Sequence, residues 1–270
     1  MISKLPKRLW IAALAVDVLL VAWLVARFAS SAQPWLSENA LRAPDAAHSF
    51  GFALYGQPVS ELLVQGAEAV LFFGSLGVLL SIVIALFMGF YLATSPEESR
   101  AHRFLAYLLD IFGAVPGFML SAVVLYAGGS SLGVLTIAFA VANWDASARL
   151  AWSVGRLVVG RPAYLADTAL GYPSAKLFCF HYLPEVFGPL SAKFCSLLAF
   201  FVVFGSSSVV IGLVDAELFP WGALLNQGRQ YFDVAPHVFW AGWLLVFLST
   251  FLLTTLSSGI QLLFERKLPR

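Results

Sequence analysis

The chain has 270 residues, of which 60% are hydrophobic and only 11% charged, with a formal net charge of +1 and a mean hydropathy of +0.85. A water-soluble domain carries about a quarter charged residues, and a disordered chain lacks the 24 Phe and 8 Trp present here, so both classes are excluded. At about 20 apolar residues per membrane span, the length accommodates about five to seven helices and leaves no room for a large soluble domain.

The first apolar run, 9–28, follows Lys4, Lys7 and Arg8. It exceeds the 7–15 residues of a signal-peptide core, so residues 1–29 read as a cytoplasmic N-terminus and a retained first helix, followed by an external loop at 30–68. A second run covers 69–93 and a third 104–127, separated by the polar SPEESRAHR at 95–103. The fourth starts near Leu132 and fades after Arg149, and a semi-polar stretch holds until about Pro189. Runs at 190–214 and 238–264 supply the fifth and sixth spans. The predicted fold is an all-α polytopic membrane protein with six transmembrane helices, in which 69–270 form a five-helix core interrupted by a cytoplasmic loop at about 155–189. Lys and Arg favour the cytoplasmic side of a membrane protein. An N-terminus inside collects Lys4, Lys7, Arg8, Arg100, Arg103, Arg156, Arg161, Lys176, Arg266, Lys267 and Arg270 there, leaving Arg42 and Arg229 outside and Arg27 at the interface. Both termini are therefore expected in the cytoplasm.

Nucleotide chemistry is missing from the chain. No Gly is followed by Lys, so there is no P-loop, and GGSSLG at 128–133 reads as a tight external turn between two spans. His48, His102, His181 and His237 lie on separate segments, and nothing completes a metal site around Cys179 and His181. No serine sits in a nucleophile elbow. The reading is of a non-enzyme with no cofactor or metal of its own and no nucleic-acid partner.

An ionisable residue inside a span is a functional candidate, because each costs about 2.5–3.5 kcal/mol at mid-membrane. Asp17, Asp110, Asp145 and Arg149 qualify. Asp145 and Arg149 share a helix face and are expected to pair; Asp17 is expected at a protein contact rather than in lipid. The internal loop reads RPAYLADTALGYPSAKLFCFHYLPEVFGP from Arg161. Two short helical pieces flank Gly171, which supplies the freedom for a chain reversal; Pro173 opens the second piece and Leu183-Pro184 closes it. The product is a helix-turn-helix knob suited to docking a partner.

This loop resembles the coupling loop of ABC-importer permeases, in which an E-A-A triplet precedes Gly and Leu-Pro follows about a dozen residues later. Ala166, Ala169, Leu170, Gly171, Leu183 and Pro184 match; Leu165 stands at the glutamate position and Asp167 at that of the second alanine. Asp167 is expected to supply the carboxylate from the next position, so that Asp167→Ala, but not Leu165→Glu, uncouples ATP hydrolysis from transport. Further motifs narrow the resemblance to dipeptide, oligopeptide and nickel permeases: Asp110 and Pro116 as D-x-x-x-x-x-P; Trp144, Ala148 and Arg149 as W-x-x-x-A-R; His48, Gly51, Gly56 and Ser60 ahead of the second span; and PWGALLNQGRQYFDVAP at 220–236.

The resemblance implies a type I importer permease fold with a coupling helix, in a prokaryotic inner membrane. It implies half of a pore completed by a second permease, driven by two ATPase subunits that carry the ATP and Mg, and fed by an external substrate-binding protein. Peptides or a nickel complex are the implied solutes. Asp110, Pro116, Ser206, Ser207 and Ser208 are candidates for pore lining or for close helix packing. Trp221, Gly222, Arg229, Gln230 and Tyr231 either meet the binding protein or cap the bundle. Two other readings remain: a transport-inactive scaffold or sensor, and a proton-coupled secondary transporter, for which the repeat symmetry of such carriers is not evident.

Overall fold

The computed structural model describes residues 37–265. The first predicted span with Asp17, and the basic residues Arg266, Lys267 and Arg270, lie outside them. The described residues form helices α1 (Val59–Thr94), α2 (Arg100–Ala114), α3 (Gly117–Gly128), α4 (Leu132–Val159), α5 (Pro162–Ala169), α6 (Ser174–Val210), α7 (Pro220–Gln230) and α8 (Pro236–Glu265). Among the described residues α1, α6 and α8 are each long and apolar enough to cross a membrane, and the bent pair α2–α3 makes a fourth span if counted as one. Helix α4 runs for 28 residues, but Asn143, Asp145 and Arg149 interrupt its apolar run.

The third apolar run is not one straight span. It breaks at Val115-Pro116, where α2 and α3 meet at 90°. Pro116 has no N–H to continue the helix and forces its predecessor out of helical geometry; Val115 is extended, with φ −93° and ψ 126°. At its other end α2 is capped by Ser99, whose Oγ accepts from the His102 amide at 3.1 Å.

Leu183-Pro184 does not close the internal loop, contrary to the sequence reading. The helix begins at Ser174 and runs through this dipeptide to Val210 as 37 continuous residues. A π turn at Phe178–Tyr182 precedes it, in which the Leu183 amide donates to the Phe178 carbonyl. This wider turn lets the helix pass a proline that contributes no hydrogen bond. Helix α1 carries a second π turn at Val70–Gly74.

Contacts divide the chain into two compact units. The first comprises the described residues up to Ser75, Leu125–Leu135 and Leu198–Thr255. Its core joins Ala53, Val59, Leu62, Leu63, Leu224 and Val238. The predicted loop at 215–236 contains helix α7, started by Pro220 in its first turn. Trp221 of α7 is buried against Gly66 and donates its indole N–H to the Leu63 carbonyl at 2.8 Å. Gln227 Oε1 accepts from the Leu54 amide at 3.3 Å. Gly51, at φ +68°, lies against the Arg42 carbonyl and the His237 ring, which only a residue without a side chain tolerates. Just before it, Asp45 accepts from the His48 and Ala47 amides, at 2.7 and 3.0 Å. The His48 amide above all holds its carboxyl below the usual range.

The serine run of α6 belongs to the same unit. Ser206 and Ser208 are buried; Ser208 donates to the Phe204 carbonyl at 2.8 Å. Gly205 faces the Phe219 ring, and Gly222 sits over Val209 and the Ser206 carbonyl. These small residues bring α6 and α7 together.

The second unit comprises Leu76–Val124, Thr136–Leu197 and the described residues from Leu256 onward. One core cluster packs Leu92, Leu109, Trp144 and Ala148, another Ala151, Tyr182, Val186 and Leu190. Tyr182, in the π turn of α6, donates to the carbonyls of Leu86 and Ala151 at 3.1 and 3.3 Å. Its ring fills the space left by Gly89 and Gly155. This anchor ties the start of α6 to α1 and α4.

Candidate coupling knob and charge cluster

The knob is built from α5, the reversal at Gly171 and the first turns of α6. Gly171 has φ +79°, and a side-chain carbon added there would meet nothing within 4 Å, so glycine is required by backbone conformation alone. Val158, Tyr164 and Leu177 form a small buried cluster beneath it, flanked by Val159 and Tyr172. Burial pushes the Tyr164 phenol up and leaves it neutral.

Every Asp, Glu, Lys, Arg and His between 161 and 185 is engaged within the knob. Arg161 forms a bidentate pair with Glu185, at 2.6 and 3.2 Å, and Glu185 holds the guanidinium above its ordinary range. Asp167 meets His181 Nε2 at 2.7 Å, while the Tyr164 ring lies edge-on to that imidazole at 5.7 Å. The Lys176 ammonium sits 3.4 Å over the Tyr172 ring. The knob exposes several apolar side chains: Leu165 is 54% exposed, Leu170 71% and Phe180 71%, with Ala166 and Ala169 exposed near them, alongside the polar Thr168, Ser174 and Lys176.

Asp167 therefore binds an imidazole of its own loop. Asp167→Ala and His181→Ala are expected to loosen the knob equally, seen as faster hydrogen exchange across 161–182 and a fall in transport per ATP hydrolysed. If Asp167→Ala impairs transport while His181→Ala does not, the carboxylate acts outside the knob.

The second feature is a charge cluster where α2 and α4 meet. Arg149 donates to the Leu109 carbonyl at 2.7 Å and to Asp110 Oδ1 at 3.0 Å, so its partner is Asp110 and not Asp145 as the helix spacing predicts. The reason is energetic: a same-face contact one turn away on a helix stabilises by about 0.2–0.5 kcal/mol. The guanidinium fork instead reaches a carbonyl and a carboxylate on α2 together. Both Arg149 and Asp145 crowd Gly113: a side-chain carbon there would lie 3.0 Å from Arg149 Nη2 and 3.4 Å from Asp145 Oδ2. Sequence reading missed Lys193, which lies half-buried on α6 inside the apolar run LSAKFCSLL. Beside the cluster a cavity of about 370 Å³ is bordered by Glu97, His102, Arg103, Asp110, Trp152 and Arg156, with Arg156 paired to Glu97 at 2.9 Å. Among the described residues no group of three His, Cys, Asp or Glu could hold a metal ion.

No family model matches the chain. The glutathione transport system permease protein GsiD of Pectobacterium atrosepticum is 26% identical over 259 residues, covering 93% of this chain and 84% of its own length. GsiD of Escherichia coli and of Shigella boydii are each 26% identical over 264 residues, covering 93% of this chain and 83% of theirs. The chain is a homologue of the ABC-importer permeases. The similarity is not confined to the knob but covers most of the chain.

Proposed function

We propose that this chain is the membrane-spanning subunit of an ATP-driven importer whose solutes are short peptides of the glutathione class, and that it forms half of the pore by alternating access. The observation that carries this reading is the similarity to glutathione permeases over 93% of the chain. The remaining parts are a second permease, two ATPase subunits and an external binding protein, with both termini of this chain on the cytoplasmic side of a prokaryotic inner membrane. The knob supports an ATPase-docking role: its charged groups are engaged within it, and it exposes the apolar side chains of Leu165, Leu170 and Phe180. Because the chain carries no P-loop, energy enters through such a contact. ATP binding can drive the cycle only by favouring one pore state over the other.

The test is purification of the tagged chain from its native membrane, followed by reconstitution. A second permease and ATPase subunits are expected to copurify, and proteoliposomes with the binding protein are expected to take up glutathione or a simple tripeptide only with ATP. Isolation without ATPases, or uptake driven by a proton gradient alone, overturns the reading. An assembled complex that moves no peptide assigns the chain to the scaffold class instead.

A further inference from the structure

Helix α2 carries an unsatisfied cation at one end of an exposed apolar face. Arg100, Arg103, Phe104, Tyr107 and Ile111 are all exposed, and they recur at the three-to-four-residue period of one side of a helix. From Arg103 to Ile111 the face turns from basic to apolar over about 12 Å, at 1.5 Å per residue. Helix α2 also meets the apolar α3 at 90°, the form of an amphipathic helix that lies in a membrane surface beside a span. Next to this face is the cavity of about 370 Å³, where Arg103, Tyr107 and Asp110 of α2 meet Trp152 and Arg156 of α4. Its two carboxylates are already taken, Asp110 by Arg149 at 3.0 Å and Glu97 by Arg156 at 2.9 Å, and His102 Nδ1 is engaged by Ser95 Oγ at 2.9 Å. Two groups on the wall are unfilled. Among the described residues the Arg103 guanidinium has neither an ion pair nor a hydrogen bond, and the buried indole N–H of Trp152 has no acceptor. Both are donors only, so both call for an oxygen-bearing ligand.

We propose that this cavity and the adjoining face of α2 bind one anionic phospholipid, with its phosphate at Arg103 and its acyl chains along Phe104, Tyr107 and Ile111. The polarity of the ligand is that of the face: charged at one end and apolar over the rest. With Glu97 and Asp110 each neutralised by its own arginine, Arg103 leaves one net positive charge on the wall for a phosphate diester. A guanidinium matches phosphate oxygens with two parallel donors, and Trp152 adds a third. Basic pockets beside membrane helices hold anionic headgroups by the same chemistry. A phosphatidylcholine brings its own ammonium, which finds no open carboxylate here, and a free phosphate ion gains nothing from the apolar face. Arg156 lies in the last turn of α4, just ahead of the knob, so a lipid seated here braces α2 against α4 at the end of the bundle from which the knob leaves. The site does not depend on which solute is carried.

The experiment purifies the tagged chain with the subunits bound to it, in detergent holding equal amounts of phosphatidylglycerol and phosphatidylcholine with matched acyl chains. Native mass spectrometry then counts the lipids retained. The unaltered complex is expected to hold phosphatidylglycerol in excess. Arg103→Gln is expected to cut the ratio of the two lipids about tenfold, the scale of one charge-assisted contact, and Trp152→Phe to cut it by a smaller factor. Arg229→Gln, which removes the same charge from α7, is expected to leave the ratio unchanged. Millimolar inorganic phosphate is expected to displace no lipid. Because the ratio is read within each intact species, a variant that assembles poorly is still measured. Equal retention of the two lipids by the unaltered complex overturns the proposal, as when a second permease covers this face. A preference that survives Arg103→Gln overturns it too. So does displacement by inorganic phosphate, which makes the cavity a site for a free ion.

Discussion

Gly66→Ala is expected to lower the melting temperature of the permease sharply, although the same exchange at an open helix position stabilises by about 1 kcal/mol. The sign reverses because the added methyl carbon would stand 2.0 Å from Trp221 Cδ1 and 2.2 Å from its Nε1. The indole has to leave, which breaks its 2.8 Å bond to the Leu63 carbonyl and strands a buried acceptor. A buried polar group left unpaired costs about 1–3 kcal/mol, and overpacking a filled core costs about 1–3 kcal/mol more. Against a total stability of about 5–15 kcal/mol, this is enough to separate α7 from α1. Thermal melting of the purified chain in detergent reads it. Trp221→Phe, which removes the donor and part of the ring but forces nothing out of place, is expected to show the smaller loss. A melting temperature for Gly66→Ala at or above that of the unaltered chain would show that the indole is not held there.

The same contact shows what local sequence can and cannot reveal. Apolar runs are legible because a membrane span must hide about 20 residues of backbone, and α1, α6 and α8 lie where the hydropathy rises. The knob is legible through Gly171, because a chain reversal at φ +79° leaves a glycine in the sequence. Pro116 stands out by its motif and accounts for the break at Val115, but a proline does not by itself set the 90° angle between α2 and α3. Helix α7 reads as a loop because its eleven residues are too few and too polar for a span, and its buried side, Trp221, Gly222 and Leu224, shows only once Leu63 and Gly66 are opposite it. Spacing matches Arg149 to the wrong carboxylate because distance along one helix carries no information about Asp110 on another. Leu183-Pro184 misleads for a different reason: a proline stops a regular helix, whereas the π turn at Phe178–Tyr182 lets this one continue. Lys193 is hidden because one cation scarcely lowers the hydropathy of an apolar run.

Arg161→Ala and Glu185→Ala are each expected to separate ATP hydrolysis from transport while leaving the permease assembled. The bidentate pair, at 2.6 and 3.2 Å, ties the start of α5 to α6 just past the π turn, so it sets the angle at which the knob leaves the bundle. Both side chains are about a third exposed, 39% and 33%, and water recovers much of the lost attraction. A cost of about 1–2 kcal/mol is appropriate, a roughly tenfold rise in local opening of the knob. That is too little to unfold the chain. It suffices to misdirect Leu165, Leu170 and Phe180, the apolar residues offered to an ATPase. The uptake-to-hydrolysis ratio in proteoliposomes is the measurement, and the double variant is expected to match either single one, since the second substitution removes a group already without its partner. Additive losses would mean that each residue contacts something else. The pH dependence gives a further check. Glu185 raises the Arg161 pKa above its ordinary value. Stability from a raised base is fully present below its unfolded value and is lost only as the pH climbs through the folded one. Across the working range of a membrane transporter the guanidinium stays charged, so its deletion should cost the same at every pH. A loss that varies with pH would show that a group other than Glu185 shares the contact.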